Sequence, residues 1–161
     1  MLRPSVRVAR QHLTLVARMA QSEQFIRTPN IQPRPRAQTN SQAVARLEQI
    51  AGRQTGTTND KGGDLKGLGQ QGQMDCIDES INTTTYLYML EHEGLMRWHT
   101  VEDRSTRGWF FRGWPHTTAV IRDKRSGQLY AVDSWFLDNG KPPFILPLEK
   151  WKDGWDPEDE N

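Results

Sequence analysis

The sequence predicts an α+β domain in the C-terminal half of a 161-residue chain, and two observations carry this prediction. First, all six Trp and all three Tyr lie beyond residue 85, where large aromatic side chains supply most of the burial energy of a small core. Second, one helical pattern at residues 76–93 precedes several short extended segments, two of which have the pattern of a hairpin. A helix followed by antiparallel strands is an α+β arrangement.

Charge divides the chain in the same way. Residues 1–72 carry 11 Lys/Arg and 4 Asp/Glu, whereas residues 73–161 carry 10 and 16, and the hydrophobic fraction of the whole chain is only 35%. A chain of this composition is expected to form a core from only part of its length. The predicted organisation is a basic, largely flexible extension at 1–41, a short helix and a Gly-rich loop at 42–69, a globular domain at 70–155 and an acidic tail at 156–161.

The N-terminal half offers weaker signals. Residues 1–22 lack acidic residues and have a basic amphipathic helical pattern, which is compatible with a partner, a membrane surface or targeting, and equally with no structural role. Residues 27–41 contain three prolines and are typical of a linker. Apolar residues recur every three positions in residues 42–51, which predicts a short helix that Ser41 caps and Gly52 ends.

The main predicted helix spans residues 76–93. Acidic residues crowd its first turn, as the positive end of a helix dipole favours, and Gly94 is placed to end it. Its predicted buried stripe consists of Ile77, Ile81, Leu87, Tyr88 and Leu90.

The residues after this helix predict short strands. The predicted strands are 95–101, 108–111, 116–123, 128–136 and 144–148, followed by a terminal turn or helix at 148–155. Residues 116–123 and 128–136 form the clearest pair, because a turn-forming segment at 124–127 joins two apolar runs that favour β structure.

Cys76, the single cysteine, stands at the predicted start of the main helix. Free backbone N–H groups and the helix dipole at such a position favour the thiolate, which is the nucleophilic form of cysteine. Two considerations oppose this interpretation. Asp75, Asp78 and Glu79 disfavour a thiolate by like charge, and a lone cysteine is commonly a small buried hydrophobe.

Asp133 lies inside a predicted strand between apolar neighbours, where a carboxylate is costly unless it has a partner. Two partners are candidates, Arg122 and His116. An arginine would make the pair structural, whereas a histidine would form a base with an orienting acid. Taken alone, His116 is more often a surface or structural residue.

The hairpin register decides whether His116 is within reach of Asp133. Directly opposed residues of an antiparallel pair share a face of the sheet. A four-residue loop at 124–127 places Asp133 opposite Thr118, and His116 is then its diagonal neighbour. A two-residue loop places Asp133 opposite Val120 on the same face, whereas an odd loop length would put the two side chains on opposite faces. The even loops fit the sequence better, so we predict a shared face.

Three short stretches, GQMDCIDESINT, PHTTAVIRD and LYAVDSW, carry a cysteine, a histidine and an aspartate in that order. In this order and spacing, the chain resembles the transglutaminase-like branch of the papain-fold cysteine enzymes over residues 70–136, and it is similar to bacterial proteins of unassigned function with that core. The resemblance implies a papain-like core in which a helix bearing Cys76 packs on an antiparallel sheet. It also implies that Cys76 attacks a carbonyl, His116 handles the proton and Asp133 orients the imidazole.

The resemblance further implies an oxyanion site made by the Cys76 backbone N–H and a side chain just upstream. The candidates for that side chain are Gln70, Gln71 and Gln73. A substrate wall is expected near His116 from Trp109 and Trp114, whereas Trp135 is a candidate both for that wall and for the core.

Several kinds of site lack support in the sequence. No CxxC, HxxxH or HExxH pattern is present, so no metal site is predicted and no cofactor is expected. The glycines at 62–72 lack the Gly-Lys-Ser/Thr ending of a P-loop. Nucleic-acid binding is not expected, because basic residues concentrate in one half of the chain and aromatic residues in the other. No run approaches the roughly 20 apolar residues of a membrane span.

The predicted function is thiol-dependent hydrolysis or acyl transfer at an amide bond of a peptide, protein or peptidoglycan-like substrate. A peptidase, an amidase and a transglutaminase-like enzyme all fit this description. The alternative is a non-catalytic papain-like domain that binds proteins or peptides. Thiol reactivity separates the two, because an enzyme needs an accessible thiolate. The chain is expected to be soluble, and its sequence is compatible with export in bacteria from a start site further upstream.

Overall fold

A computed structural model describes residues 34–63, 70–108 and 115–160 of the chain. In this part, the helices are α1 (Arg34–Thr55), α2 (Cys76–His92) and α3 (Leu148–Lys152), and the strands are β1 (His99–Arg107), β2 (His116–Asp123), β3 (Leu129–Asp133) and β4 (Phe144–Pro147). A 3₁₀ turn, Pro157–Glu160, lies in the predicted acidic tail. The four strands form one antiparallel sheet in the order β1-β2-β3-β4, which confirms the predicted α+β class.

The sheet is covered on both faces, because successive residues of β2 point to opposite sides. On one face, Ala119 and Ile121 pack with Val44 of α1 and Leu87 of α2. The cluster on the other face consists of Val120, Ala131, Leu146, Leu148, Trp151 and Trp155. Since β2 is buried on both sides, any polar side chain that it carries needs a partner.

Helix α1 is longer than predicted. It begins at Arg34 rather than just after Ser41, although the residues between them have no apolar period. Tertiary contacts explain the difference. The buried Ser41 hydroxyl donates to the Pro143 carbonyl oxygen at 2.8 Å, and the Asn40 amide lies 3.2 Å from His99 Nδ1. Ser41 is thus an anchor inside the helix and not its N-cap.

The amphipathic pattern at residues 1–22 and the first part of the predicted linker, residues 27–33, lie outside the described residues. So do residues 64–69 of the Gly-rich loop. Within the described ranges, no helix combines the length and apolar character that crossing a bilayer demands.

Helix α2 has the predicted position but only part of the predicted buried face. It spans Cys76–His92, and Gly94 follows with a φ of 72°. Three residues of the predicted stripe are 43–53% exposed, namely Ile77, Ile81 and Tyr88. The buried residues are instead Glu79, Ser80, Thr83, Leu87 and Leu90. Hydrogen bonding explains this choice, because the Thr83 hydroxyl lies 2.8 Å from that of Ser134 and a satisfied polar group can face the core.

Strand β1 differs most from the prediction. The sequence predicts strands at 95–101 and 108–111, but β1 spans His99–Arg107, and residues 109–111 lie outside the described part. The centre of β1 is charged and lacks apolar alternation. It forms a strand because it pairs with β2 at the edge of the sheet, with a bulge between Glu102 and Ser105.

The β2–β3 hairpin has one of the two registers that the sequence analysis favours. The Asp123 N–H donates to the Gln128 carbonyl oxygen at 2.9 Å, which closes a four-residue loop at 124–127. This register places Asp133 opposite Thr118 on the neighbouring strand. Strand β3 is shorter than predicted, whereas β4 and α3 lie where the last strand and the terminal helix are predicted.

The loop after α1 packs tightly against the segment that follows β3. The Gly63 N–H donates to the Trp135 carbonyl oxygen at 2.7 Å. A Cβ atom on Gly62 would lie 2.4–2.5 Å from backbone atoms of Leu137, which is closer than real Cβ contacts come. Glycine is therefore required at position 62 by the space available.

Candidate active site

His116 opens β2 and Asp133 closes β3, so both lie at the same end of neighbouring strands. His116 Nε2 lies 2.6 Å from Asp133 Oδ2, the distance of a short charge-assisted hydrogen bond. Only 9% of the His116 side chain and 1% of the Asp133 side chain are exposed. The predicted shared face is thus confirmed. The other candidate partner, Arg122, instead donates to Glu102 Oε1 at 2.7 Å.

Cys76 is the first residue of α2, and it is half-buried. Its Sγ atom lies 3.9 Å from the carbonyl oxygen of Pro115, the residue before His116. The thiol is also close enough to the His116 imidazole to raise the pKa of that ring. Because His116 Nε2 binds Asp133, Nδ1 is the ring nitrogen left for the sulfur. The fold therefore brings together the cysteine, the histidine and the aspartate that the sequence singles out.

The protonation state of His116 follows from these contacts. Burial alone lowers the pKa of an imidazole, but the hydrogen bonds to Asp133 and Cys76 and the charge interactions with both outweigh it. Together they raise the pKa of His116 to about 9. At neutral pH the ring is therefore an imidazolium between a carboxylate and a sulfur atom. An adjacent imidazolium favours the thiolate form of a cysteine.

The three acidic residues around Cys76 have different surroundings. Asp75 is the N-cap of α2, and its Oδ1 accepts hydrogen bonds from the backbone N–H groups of Ile77 and Asp78 at 2.8 Å each. The Asp78 carboxylate accepts the Asp75 N–H in return, which completes a capping box. Burial raises the pKa of Glu79 to about 8, so this residue is mostly uncharged at neutral pH. The like-charge opposition expected from Glu79 is therefore reduced.

The capping box also determines which N–H groups are available at the start of α2. It uses those of Ile77 and Asp78. Among the described residues, the Cys76 N–H has no acceptor, as is usual for the first N–H groups of a helix. This N–H is able to bind an oxyanion that forms next to the sulfur.

The three glutamine candidates differ in their contacts. Gln73 directs its amide to the preceding loop: Oε1 accepts the Lys61 N–H and Nε2 donates to the Asn59 carbonyl oxygen, both at 3.1 Å. Gln70 and Gln71 are exposed. The amide of Gln73 thus has a structural task in this loop.

Aromatic rings surround the His116 imidazole. The ring centroids of Trp135, Phe136 and Trp151 lie 4.9, 5.2 and 5.4 Å from that of His116. Trp135 is only half-buried, so it packs on the imidazole and also faces solvent. The other two predicted wall residues, Trp109 and Trp114, lie outside the described residues.

Trp151 makes a contact that the sequence analysis missed. Its indole Nε1–H donates to Asp133 Oδ2 at 2.7 Å, the same oxygen that binds His116. A buried indole needs an acceptor for its N–H, and a buried carboxylate needs donors. These two requirements are the signal that could have linked Trp151 to Asp133, although the residues lie 18 positions apart.

A second group of buried acids lies behind the site. Glu48 of α1, Asp60 of the following loop and Glu79 of α2 are each 3% exposed, and they are called the carboxyl cluster below. Asp60 contributes to the raised pKa of Glu79, and the Ser134 hydroxyl donates to Glu79 Oε2 at 2.9 Å. Burial raises the pKa of Glu48 to about 7. Because Ser134 directly follows Asp133, the cluster and the Cys-His-Asp group adjoin through the backbone.

The carboxyl cluster does not have the geometry of a metal site. Over residues 34–63, 70–108 and 115–160, no group of three or more His, Cys, Asp or Glu side chains could hold a metal ion. Comparison of the chain with protein-family models, curated proteins and solved structures gave no match. The geometry around Cys76 is therefore the basis for a functional assignment.

Proposed function

We propose that this protein is a thiol-dependent hydrolase or acyltransferase that acts on amide bonds, with Cys76 as nucleophile, His116 as proton carrier and Asp133 as orienting acid. One observation carries the proposal: His116 Nε2 binds Asp133 Oδ2 at 2.6 Å, and the Cys76 Sγ atom lies 3.9 Å from the carbonyl oxygen of Pro115, the residue before that histidine. A cysteine that serves only packing has no need of an imidazole whose ring is fixed by a carboxylate.

The proposed reaction uses the thiolate form of Cys76 and the imidazolium form of His116. The Cys76 thiolate attacks the carbonyl carbon of the amide, and the carbonyl π electrons move to oxygen, where the Cys76 N–H can stabilise them. When the C–N bond breaks, the His116 imidazolium gives its proton to the leaving amine. The neutral imidazole then takes a proton from water, or from an acceptor amine, which attacks the thioester and releases the acyl group.

The order of the elements supports a papain-like core of the transglutaminase-like type. Helix α2 begins with the nucleophile and packs on an antiparallel sheet, and the base and the acid lie on neighbouring strands of that sheet. Cysteine, histidine and aspartate occur in the order on which the sequence resemblance rests. The half-buried Trp135 beside the imidazole offers an apolar wall for a peptide, protein or peptidoglycan-like acyl donor.

The proposal is tested by the pH dependence of Cys76 alkylation with iodoacetamide in the folded protein. A thiolate stabilised by His116 is expected to react at pH values well below those needed for an ordinary thiol, with a pKa of about 8.5. We expect the profile to move toward that of an ordinary thiol in both His116→Ala and Asp133→Ala. His92→Ala is the matched control, because His92 is an exposed histidine of the same helix that bears Cys76.

Acylation provides a second readout. Incubation with p-nitrophenyl acetate should add one acetyl group to Cys76, detected by mass spectrometry, and the same adduct should form far more slowly in His116→Ala. A thiol that is silent until denaturant is added, or a profile that neither substitution moves, would rule out the catalytic proposal.

A second candidate function is a protein- or peptide-binding module without chemistry. One observation favours it: Ile77, Ile81 and Tyr88 are exposed on one side of α2, directly after the cysteine. Exposed apolar side chains at helical spacing commonly mark a binding surface. This candidate predicts an inert thiol in the folded protein, so the alkylation experiment separates it from the enzyme.

A further inference from the structure

The Asp133 carboxylate is held by three donors among the described residues. The Trp135 backbone N–H donates to Oδ1 at 3.2 Å, whereas the other two donors share Oδ2. These are His116 Nε2 at 2.6 Å and Trp151 Nε1 at 2.7 Å. One carboxylate oxygen therefore joins an imidazole to an indole.

We propose that Trp151 is a positioning residue, whose indole N–H fixes Asp133 Oδ2 as the acceptor for His116 and thereby sets the orientation of the imidazole toward Cys76. The inference rests on the proposed function of these three residues. It adds a fourth residue, which acts through Asp133 and does not touch the reacting atoms.

The indole is suited to this task because it cannot move independently of the core. Trp151 is 0% exposed, and its ring packs against the imidazole with a centroid distance of 5.4 Å. A carboxylate can rotate about its Cβ–Cγ bond, and such a rotation would exchange Oδ1 for Oδ2 at His116. An immobile donor on Oδ2 and a backbone donor on Oδ1 oppose this rotation from both sides.

Arg107 holds Trp151 in turn. The Arg107 guanidinium carbon lies 4.5 Å from the centroid of the Trp151 ring, and Nη1 donates to the Trp151 carbonyl oxygen. A cation over the face of an indole is attracted by the ring and draws electron density toward itself, which strengthens donation by the N–H. Arg107 is also the β1 partner of His116. The pairing of β1 with β2 therefore places Arg107 beside both Trp151 and His116.

Trp155 provides the matched comparison. It belongs to the same apolar cluster and is 6% exposed, and its ring contacts Phe136 and Phe144. It is not among the donors to Asp133 named above. If Trp151 serves only packing, its substitution should have the same effect as substitution of Trp155. If Trp151 positions Asp133, the two substitutions should have different effects on Cys76.

The first experiment follows the indole N–H resonances of the intact protein by NMR as the pH rises through the titration of His116, near pH 9. When His116 loses its proton, Asp133 Oδ2 becomes a better acceptor for the indole. We expect the Trp151 N–H signal to move downfield with the midpoint of the His116 ring signals, while the Trp155 signal stays in place. A Trp151 signal that is flat while His116 titrates would overturn the proposal, and so would an equal shift of both indoles.

The second experiment compares iodoacetamide alkylation of Cys76 in Trp151→Phe and Trp155→Phe. Phenylalanine keeps an aromatic ring in the core. Both variants lose an indole N–H and a similar ring volume, but only Trp151→Phe loses the hydrogen bond to Asp133 Oδ2. We expect a several-fold change in rate and a shifted pH profile in Trp151→Phe, and the wild-type profile in Trp155→Phe. Identical profiles in both variants would overturn the proposal. If Trp151→Phe does not fold, the NMR titration of the Trp151 indole N–H in the wild-type protein tests the proposal instead.

Failure of the proposed function has a different signature. A Cys76 thiol that is inert in the folded wild-type protein would refute the enzyme, whatever the indole signal does. The indole titration reports the Trp151–Asp133–His116 contact itself, so a reactive thiol with a flat Trp151 signal would refute the positioning role alone.

Discussion

Two buried carboxyl groups, Asp133 and Glu79, lie close together in this molecule, and their surroundings favour different protonation states. Asp133 is 1% exposed and Glu79 is 3% exposed, so neither is solvated to any extent. Asp133 meets the cationic ring of His116 and the indole N–H of Trp151. Glu79 meets the Ser134 hydroxyl and two further acids of the carboxyl cluster. Equal burial thus leads to an ion pair in one place and to a protonated acid in the other, because the partners differ.

The two sites can be so close because a strand sends consecutive side chains to opposite faces of its sheet. Asp133 points to the face that carries α3, where Trp151 lies. The next residue, Ser134, contacts Thr83 and Glu79 of α2 on the other face. Two consecutive residues therefore contact two different sites. Asp133 belongs to the ion pair with His116, and Ser134 contacts the protonated Glu79 of the carboxyl cluster.

The largest expected effect is that of pH on the whole protein. In the folded state the pKa is about 7 for Glu48, about 8 for Glu79 and about 9 for His116, all above the ordinary values of 4.5 and 6.5. The folded protein then binds more protons than the unfolded chain between about pH 4.5 and pH 9, so the free energy of unfolding must fall as the pH rises.

We expect a fall of several kcal/mol between about pH 5 and pH 9, measured by urea unfolding, because each pKa unit corresponds to about 1.4 kcal/mol. The two glutamates lower the free energy of unfolding up to about pH 8. His116 lowers it between about pH 6.5 and pH 9, so the two contributions overlap. A free energy of unfolding that is constant or rises over this range would contradict both assignments.

Asp133→Asn should have the next largest effect. Asparagine keeps the shape of the side chain but leaves the buried His116 without its counter-charge, so the pKa of His116 should fall. We expect the free energy of unfolding at pH 7 to drop by about 3 kcal/mol, as for other broken buried ion pairs. NMR titration of the histidine ring measures the first effect, and urea unfolding measures the second. An unchanged His116 titration would show that the pair does not form in solution.

Glu79→Gln should have a smaller effect of the opposite sign. Glutamine cannot ionise, so the variant avoids the cost of deprotonating a buried acid at high pH. We expect a gain of about 2 kcal/mol near pH 9, little change near pH 5 and a flatter pH dependence. Glu149→Gln, at an exposed position of α3, is the control and should leave the slope unchanged. An equal loss of stability at both pH values would mean that the hydrogen bond to Ser134 matters more than ionisation.

The smallest effect is expected from Arg122→Gln. Arg122 pairs with Glu102 at the surface, where 43% and 31% of the two side chains are exposed, and such pairs contribute little to stability. The His116 titration should also stay in place, because Arg122 is not the partner of Asp133. A shift of the His116 titration in this variant would reveal a charge coupling that the contacts do not suggest.

The hairpin was predictable because its signals are local. Apolar alternation marks both strands, a turn-forming segment marks the loop, and the two-residue repeat of a strand then places His116 and Asp133 on one face. The proximity of Cys76 to His116, by contrast, has no local signal in the sequence. The two residues lie on separate elements with about a quarter of the chain between them, so only the family resemblance pointed to it.

The features that the sequence did not predict depend on tertiary contacts. Helix α1 extends back to Arg34 through residues without an apolar period, and β1 forms on a charged segment because β2 offers it an edge. Helix α2 buries Glu79 and Thr83 in place of Ile77, because both polar side chains form hydrogen bonds with Ser134 in the core. Hydrophobic periodicity carries no information about such partners.

Gly62 has a consequence for the ancestry of this fold. Its missing side chain makes room for the main chain of Leu137, and no substitution at position 137 can move a main-chain atom out of the way. A descendant that keeps this loop must therefore keep the glycine, even if its cysteine, histidine or aspartate has been replaced. Across a lineage, the glycine would report whether this loop is retained, whereas the three polar residues would report whether the proposed chemistry is retained.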